Sequence, residues 1–308
     1  MNDRIDRDAA GKITRIAGPV VHAANLHSVC LNDVVYVGND RLVGEVIRLT
    51  ETGATIQVYE DTSGVRVGEP VFPTGQPLAV TLGPGLLGNV YDGLQRPLNE
   101  LARVQGSFLQ RGISGQPLPM DRVWDFVPSV QIGEMLSGGD ILGAAPEKVL
   151  IDKSSGNNSV HLLHRVMVPP GIQGKVIEVR GGQLRAADWV ARLQLADRSE
   201  IELTMIQQWA VRTPRPIRER LPLKEPLITG TRVIDLLFPV AKGGAAIIPG
   251  GFGTGKTVTQ HSLSRWSDVD VVVYVGCGER GNEMAMRPDL TLPVALQEVQ
   301  RRTDGHTL

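Results

Sequence analysis

Short apolar runs broken by turn residues fill the chain from Lys12 to about Pro73. Ile13-Thr14-Arg15-Ile16-Ala17, then Gly18-Pro19, then Val20-Val21 reads as strand, turn and strand. Val34-Val35-Tyr36-Val37 follows, closed by Gly38-Asn39-Asp40. Leu42-Val43-Gly44-Glu45-Val46-Ile47 and, after Glu51-Thr52-Gly53, Ala54-Thr55-Ile56-Gln57-Val58-Tyr59 complete the series. Runs this short at such regular spacing predict a small β-barrel, whose closure hides its own strand edges. Pro70 to Pro97 is rich in Gly and Pro and reads as a crossing between domains. Ser107 to Gly182 stays β-rich, with Pro169-Pro170-Gly171 and Gly181-Gly182 as breakers, so a second all-β module is expected. Arg212 to Pro226, proline-rich with alternating basic residues, reads as an extended, solvated strap.

Beyond the strap the pattern changes. Ile247-Ile248-Pro249 is a short apolar strand running straight into a glycine loop. Thr257 to Trp266 contains no Gly or Pro, and Val258, Leu263 and Trp266 can face one side of a helix. Asp270-Val271-Val272-Val273-Tyr274-Val275 is apolar almost without alternation, as expected of a strand buried on both faces of a parallel sheet. Strand, loop, helix, strand is an α/β signature. No internal repeat is present.

The glycine loop carries the chemistry. Gly250-Gly251-Phe252-Gly253-Thr254-Gly255-Lys256-Thr257 fits G-x-x-x-x-G-K-[ST]. Glycines let the backbone turn its N–H groups toward phosphate oxygens with no Cβ in the way. The helix opening at Thr257 adds unpaired N–H groups and the positive end of its dipole. Lys256 supplies a mobile charge for the β- and γ-phosphates, and the Thr257 hydroxyl is placed for Mg²⁺. A Rossmann reading fails because G-x-G-x-x-G is not matched. Glu279, in Gly276-Cys277-Gly278-Glu279-Arg280-Gly281 after the next strand, is delivered to the same sheet edge. A carboxylate there can orient or deprotonate a water aimed at the γ-phosphate, or form a surface ion pair with Arg280.

Composition narrows the partners. With 308 residues the chain can fold as two domains, and 32 Lys+Arg against 33 Asp+Glu gives a net charge of -1. That balance makes no electrostatic case for nucleic acid or an anionic membrane as the main partner. Cys30 and Cys277 lie far apart and are read as reduced thiols of a cytoplasmic protein. Met1 to Ala10 lacks the apolar core of a signal peptide, and Val269 to Val275 is far too short to span a bilayer. The chain is expected to be soluble, with any membrane link made through a partner. His161 and His164 find no third ligand type nearby and are read as ordinary surface or loop histidines. Trp124, Trp189 and Trp209 are read as core or interface residues, and Asp235 as a cap or brace of the strap.

Three segments together resemble the catalytic A subunit of V-type (vacuolar/archaeal-type) rotary ATPases. They are Pro226-Leu227-Ile228-Thr229-Gly230-Thr231-Arg232-Val233-Ile234-Asp235, Phe238-Pro239-Val240-Ala241-Lys242-Gly243-Gly244, and the phosphate loop with Phe252. The run Val273 to Met284, with its Gly-Cys-Gly-Glu-Arg, is equally characteristic and fits the V-type better than its F-type counterpart. The resemblance covers roughly Lys12 to Met284 and implies mixed β and α/β architecture: an N-terminal β-barrel, an inserted β module and an incomplete RecA-like P-loop domain. The implied domains are residues 1–75, the barrel; 76–106, a crossing segment of the nucleotide domain; 107–185, the inserted module; and 186–308, strap and nucleotide-binding domain.

The same resemblance implies the site. Gly250, Gly251, Phe252, Gly253, Thr254, Gly255, Lys256, Thr257 and Val258 bind ATP or ADP, Thr257 ligates Mg²⁺, Glu279 positions the attacking water, and Arg280 supports it. It further implies B subunits in an alternating hexameric ring, central and peripheral stalk subunits, and ATP synthesis or hydrolysis coupled to proton or sodium transport. The chain would be peripheral on the cytoplasmic face, touching the membrane only through the ion-translocating sector. Residues 284–308 depart from the family pattern, and the second acidic strand and C-terminal helical domain find no counterpart, so a C-terminal truncation is expected. The competing expectation is a non-catalytic fragment keeping only phosphate binding or assembly contacts. An ATPase of the secretion or transcription-termination type shares the P-loop, but the inserted β module and near-neutral charge count against it.

Overall fold

A computed structural model describes residues 10–26, 29–106, 111–113, 115–150, 159–214, 217, 219–251 and 253–277. The chain divides into two compact units, each considered by itself.

The first unit is built on the expected barrel. Strands β1 (Gly11–Ala17), β2 (Val20–Ala24), β3 (Asp33–Val37), β4 (Leu42–Thr50), β5 (Gly53–Val58) and β6 (Pro70–Pro77) close in the order β1-β2-β5-β4-β3-β6. All neighbours run antiparallel, and Gly11↔Val71 with Lys12↔Pro70 seals the last seam. Alternation sends Ile13, Val21, Val35, Val37 and Ile56 inward, where they are fully buried together. The β4–β5 hairpin crowds its neighbour so closely that a Cβ on Gly53 would lie 1.9 Å from the Ala23 carbonyl oxygen.

Two acids are buried in the barrel, Asp33 on β3, which accepts from the Cys30 N–H at 2.7 Å, and Glu45. Glu45 on β4 is buried, and its carboxylate accepts from the Tyr59 hydroxyl at 2.5 Å. Arg212 grips the same carboxylate through two bonds, Nε to Oε1 and Nη2 to Oε2, both 2.6 Å. The strap was expected to be a solvated connector; its first residue is instead tied to the barrel. A buried carboxylate needs such partners, and Arg212 supplies the cation from 167 positions along the chain.

The crossing segment is more ordered than its Gly and Pro content implies. Strand β7 (Ala79–Leu82) is followed by a helix, α1 (Leu98–Gln105), that sequence pattern does not anticipate. The Gln95 side chain mimics a peptide toward Thr81, accepting from its N–H at 2.7 Å and donating to its carbonyl at 2.6 Å.

The second unit carries the all-β module. Its strands are β8 (Val123–Pro128), β9 (Met135–Ser137), β10 (Ile141–Leu150), β11 (Ser159–Met167), β12 (Gln173–Val179), β13 (Gly182–Arg185), β14 (Trp189–Gln194) and β15 (Glu200–Thr204). They form two four-stranded sheets, β11-β10-β8-β13 and β15-β14-β12-β9. Trp124, Phe126, Leu142, Val176 and Leu193 pack into one shared core. Buried Glu147 is satisfied by the Gly85 N–H at 3.0 Å. His164 is not the surface residue expected. It is half-buried, pairs with Ala145 in the β10–β11 register, and burial pushes its pKa down to about 4. Its imidazole is neutral at physiological pH. After β15 the chain returns to the first unit, where β16 (Gln207–Ala210) pairs antiparallel with β7.

The remainder of the second unit holds β17 (Pro226–Leu227), α2 (Arg232–Leu237), β18 (Val240–Ala241) and α3 (Lys256–Trp266), with β17 and β18 paired antiparallel. The helix expected from Thr257 to Trp266 is present as α3. The two strands expected around it are not: residues 247–249 and 270–276 join no ladder among the described residues. Apolar character alone does not make a strand, because the element exists only when a neighbour takes its hydrogen bonds. Nor do Val258 and Trp266 bury one helix face; they are 72% and 61% exposed, and only Leu263 of the three is partly covered.

Candidate functional site

The phosphate loop runs from Gly250 into α3. Gly253 has φ +79° and Gly255 φ +81°, the left-handed region that only glycine enters at no steric cost. Gly255 is also the residue capping the N-terminus of α3, and it brings no side chain to accept the first N–H groups. Those donors point outward from a helix end that carries positive dipole character, an anion-binding arrangement.

The loop closes on itself. The Thr254 hydroxyl donates to the Gly251 carbonyl at 2.9 Å, and the Lys256 ammonium reaches back to the Gly250 carbonyl at 2.5 Å. A Cβ on Gly250 would lie 2.4 Å from the Thr254 hydroxyl oxygen, so a side chain there would displace that hydroxyl from its bond to Gly251. Lys256 thereby links the end of the loop to its start through the Gly250 carbonyl. Thr257 follows within the first turn of α3, half-buried, and Val258 is exposed. Phe252, Glu279 and Arg280 lie outside the described residues.

The far end of α3 rests on a turn. Gly230, at φ +73°, has no room for a Cβ, which would lie 2.8 Å from Trp266 Cβ and 3.0 Å from its carbonyl oxygen. The Asp268 N–H donates to the Ile228 carbonyl at 2.8 Å. Asp235 braces this turn. Its Oδ1 accepts from the Thr229 N–H at 2.8 Å and the Thr229 hydroxyl at 2.7 Å, and its Oδ2 accepts from the Gly230 N–H at 3.1 Å. These bonds, the Thr229 hydroxyl foremost, hold the Asp235 carboxyl below the usual carboxylate range. Beside α3, the Tyr274 ring lies 5.8 Å from the His261 ring.

No cluster of three or more His, Cys, Asp or Glu side chains is placed to hold a metal among the described residues. The Thr257 hydroxyl is the kind of oxygen donor that holds Mg²⁺ together with phosphate oxygens. Cys30 and Cys277 are free thiols, both exposed. Among the described residues no helix is long and apolar enough to cross a membrane.

Comparison with known proteins gives a consistent picture. The beta-barrel domain of the ATP synthase alpha/beta family matches residues 13–75, the family's barrel-sandwich domain matches 115–212, and its nucleotide-binding domain matches 230–291. The last match passes Met284, where the motif-based resemblance stops. The chain is 51% identical over 276 residues to the A subunit of the A-type ATP synthase from Thermofilum pendens, covering 89% of this chain and 44% of that protein. It is 46% identical over 297 residues to the V-type ATP synthase alpha chain of a Thermoanaerobacter species, covering 95% of this chain and 48% of the relative. The V-type ATP synthase alpha chain of Anaeromyxobacter dehalogenans is 51% identical over 276 residues, covering 90% of this chain and 45% of the relative. The chain thus spans less than half the length of these curated relatives.

Proposed function

The chain belongs to the ATP synthase alpha/beta family and matches its A-type and V-type catalytic members in sequence and domain order, and from that premise we propose that it is the nucleotide-binding part of a catalytic A subunit. The observation that carries the reading is the loop geometry: two left-handed glycines, an uncapped α3 N-terminus, and Lys256 reaching back to the Gly250 carbonyl.

Each residue has a distinct task in this reading. The N–H groups of the loop and the first turn of α3 receive the β- and γ-phosphates of ATP, with Phe252 and Val258 completing the nucleotide-binding set. Lys256 exchanges its carbonyl contact for phosphate oxygens and offsets charge gathering on the γ-phosphoryl group. Mg²⁺ bound by the Thr257 hydroxyl and the phosphates would neutralise further charge there. Glu279 orients the water that attacks the γ-phosphorus as the bond to the ADP oxygen breaks, and Arg280 steadies Glu279 or the departing phosphate. In the synthesis direction the same groups hold ADP and phosphate for condensation.

Turnover of this kind would serve a rotary machine. The proposed partners are B subunits that alternate with this one in a hexameric ring, and central and peripheral stalk subunits. Proton or sodium transport is coupled through a separate membrane sector, with this chain on its cytoplasmic face. The test has two arms. MgATP is expected to bind the chain, with affinity falling by at least about a hundredfold in Lys256→Ala. In the assembled complex Glu279→Gln is expected to keep nucleotide affinity and lose hydrolysis. Unchanged binding in the first variant, or sustained turnover in the second, would overturn the assignment.

A further inference from the structure

We propose that Asp235 is a positioning residue for the phosphate loop, fixing the Thr229–Gly230 turn on which the C-terminal end of α3 is seated. This rests on the nucleotide-binding reading above and adds a residue remote from the phosphates to its machinery.

The case begins with what holds the turn. Helix α2 buries none of its residues, so apolar packing does not anchor the segment that Asp235 belongs to. Thr229, by contrast, is 1% exposed and forms the buried pivot. Three donors converge on one carboxylate there, and all three come from residues upstream of α2 rather than from the helix itself. A carboxylate taking several backbone N–H bonds is a stiff, charge-assisted brace.

The braced turn then meets α3. Gly230 presses its bare Cα face against Trp266, and Ile228 takes the Asp268 N–H, so the helix end is gripped from two sides. A helix of 11 residues is a rigid rod about 16 Å long. Its other end is the phosphate loop: Gly255 caps it, and Lys256 and Thr257 open it. No residue of α3 is fully buried, so the grip on its C-terminal end bears directly on where the rod lies. A small shift at Trp266 is therefore passed to Lys256 and Thr257. Misplacement of a binding constellation by about 1 Å is costly even when the cause is distant.

Two measurements test this. MgATP titration of the full chain should give a dissociation constant raised about tenfold in Asp235→Asn, with the stoichiometry of binding unchanged. A loss of folded protein would instead lower the stoichiometry and leave the constant alone, and that result overturns the proposal. Thr229→Ser keeps the hydroxyl and should bind as wild type, whereas Thr229→Val should follow Asp235→Asn. Hydrogen exchange of residues 256–266 without nucleotide tests the brace separately. Faster exchange there in Asp235→Asn, with barrel amides unchanged, supports it; unchanged exchange in α3 refutes it. If wild type fails to bind MgATP while α3 exchange responds, the functional assignment falls and the brace stands.

Discussion

Glu45 is the residue whose surroundings say most about how this chain handles buried charge. Its carboxyl is held below the usual carboxylate range, first by the Arg212 hydrogen bonds, against the opposing effect of burial. Burial and the Glu45 contact together push the Tyr59 hydroxyl up to about 12. Removing the phenol in Tyr59→Phe loses one hydrogen bond to a charged acceptor and should cost about 1 kcal/mol, the low end for such a bond because Tyr59 is 40% exposed. The pH dependence follows from the directions of the shifts. Glu45 stabilises above its ordinary pKa and loses that contribution as pH falls through its lowered folded value. Tyr59 stabilises below about 10, its unfolded value, and loses the contribution as pH rises through about 12. Urea unfolding of wild type and Tyr59→Phe should differ most near neutrality and converge at both extremes; a difference independent of pH would sink the account.

At the scale of elements, strands and helices here are stable for different reasons. The barrel strands alternate inward and outward and meet a paired neighbour on both sides, so the closed sheet has no free edge. Close approach limits what they accept. Gly53→Ala puts a methyl 1.9 Å from a backbone oxygen that cannot swing away, and should destabilise the barrel by about 3 kcal/mol or more. Thermal unfolding followed by circular dichroism would show it, and a loss under about 1 kcal/mol would mean the hairpin relaxes easily. Helix α3 depends on its ends rather than on a buried face. Gly255→Ala would hold an alanine at φ +81°, costing about 1 to 2 kcal/mol and closing part of the loop to phosphate. Weaker MgATP binding with little change in barrel stability is the expected outcome.

Across the molecule, apolar surface is unevenly covered. The β modules bury two apolar cores, while Leu236, Phe238 and Ile247 are 80%, 70% and 86% exposed. Apolar surface gathered in one stretch of sequence is the kind that binds apolar probes or partners. The chain should bind a hydrophobic dye, and Leu236→Ser with Phe238→Ser should reduce that binding while leaving the far-ultraviolet dichroism of the β modules intact. Dye binding unchanged by the pair would place the responsible surface elsewhere.

The barrel and the phosphate loop are both legible in the sequence because their causes are local. Alternation and turn residues locate β1 to β5 to within a few residues, and Gly253 and Gly255 of the loop are needed for a φ set by their immediate neighbours. The rest depends on residues that sequence spacing does not connect. Arg212 meets Glu45 across 167 positions, and His164 is half-buried on a strand whose partner, β10, only the fold supplies. Asp235 could be read as a brace, but not as one that supports Trp266 and hence α3. The apolar runs at 247–249 and 270–275 show the converse, since strand-like composition does not form a ladder without an adjacent strand to pair with. Periodicity and backbone preference are written residue by residue; a buried charge's partner, a helix's seat and a strand's neighbour are fixed only when distant segments meet.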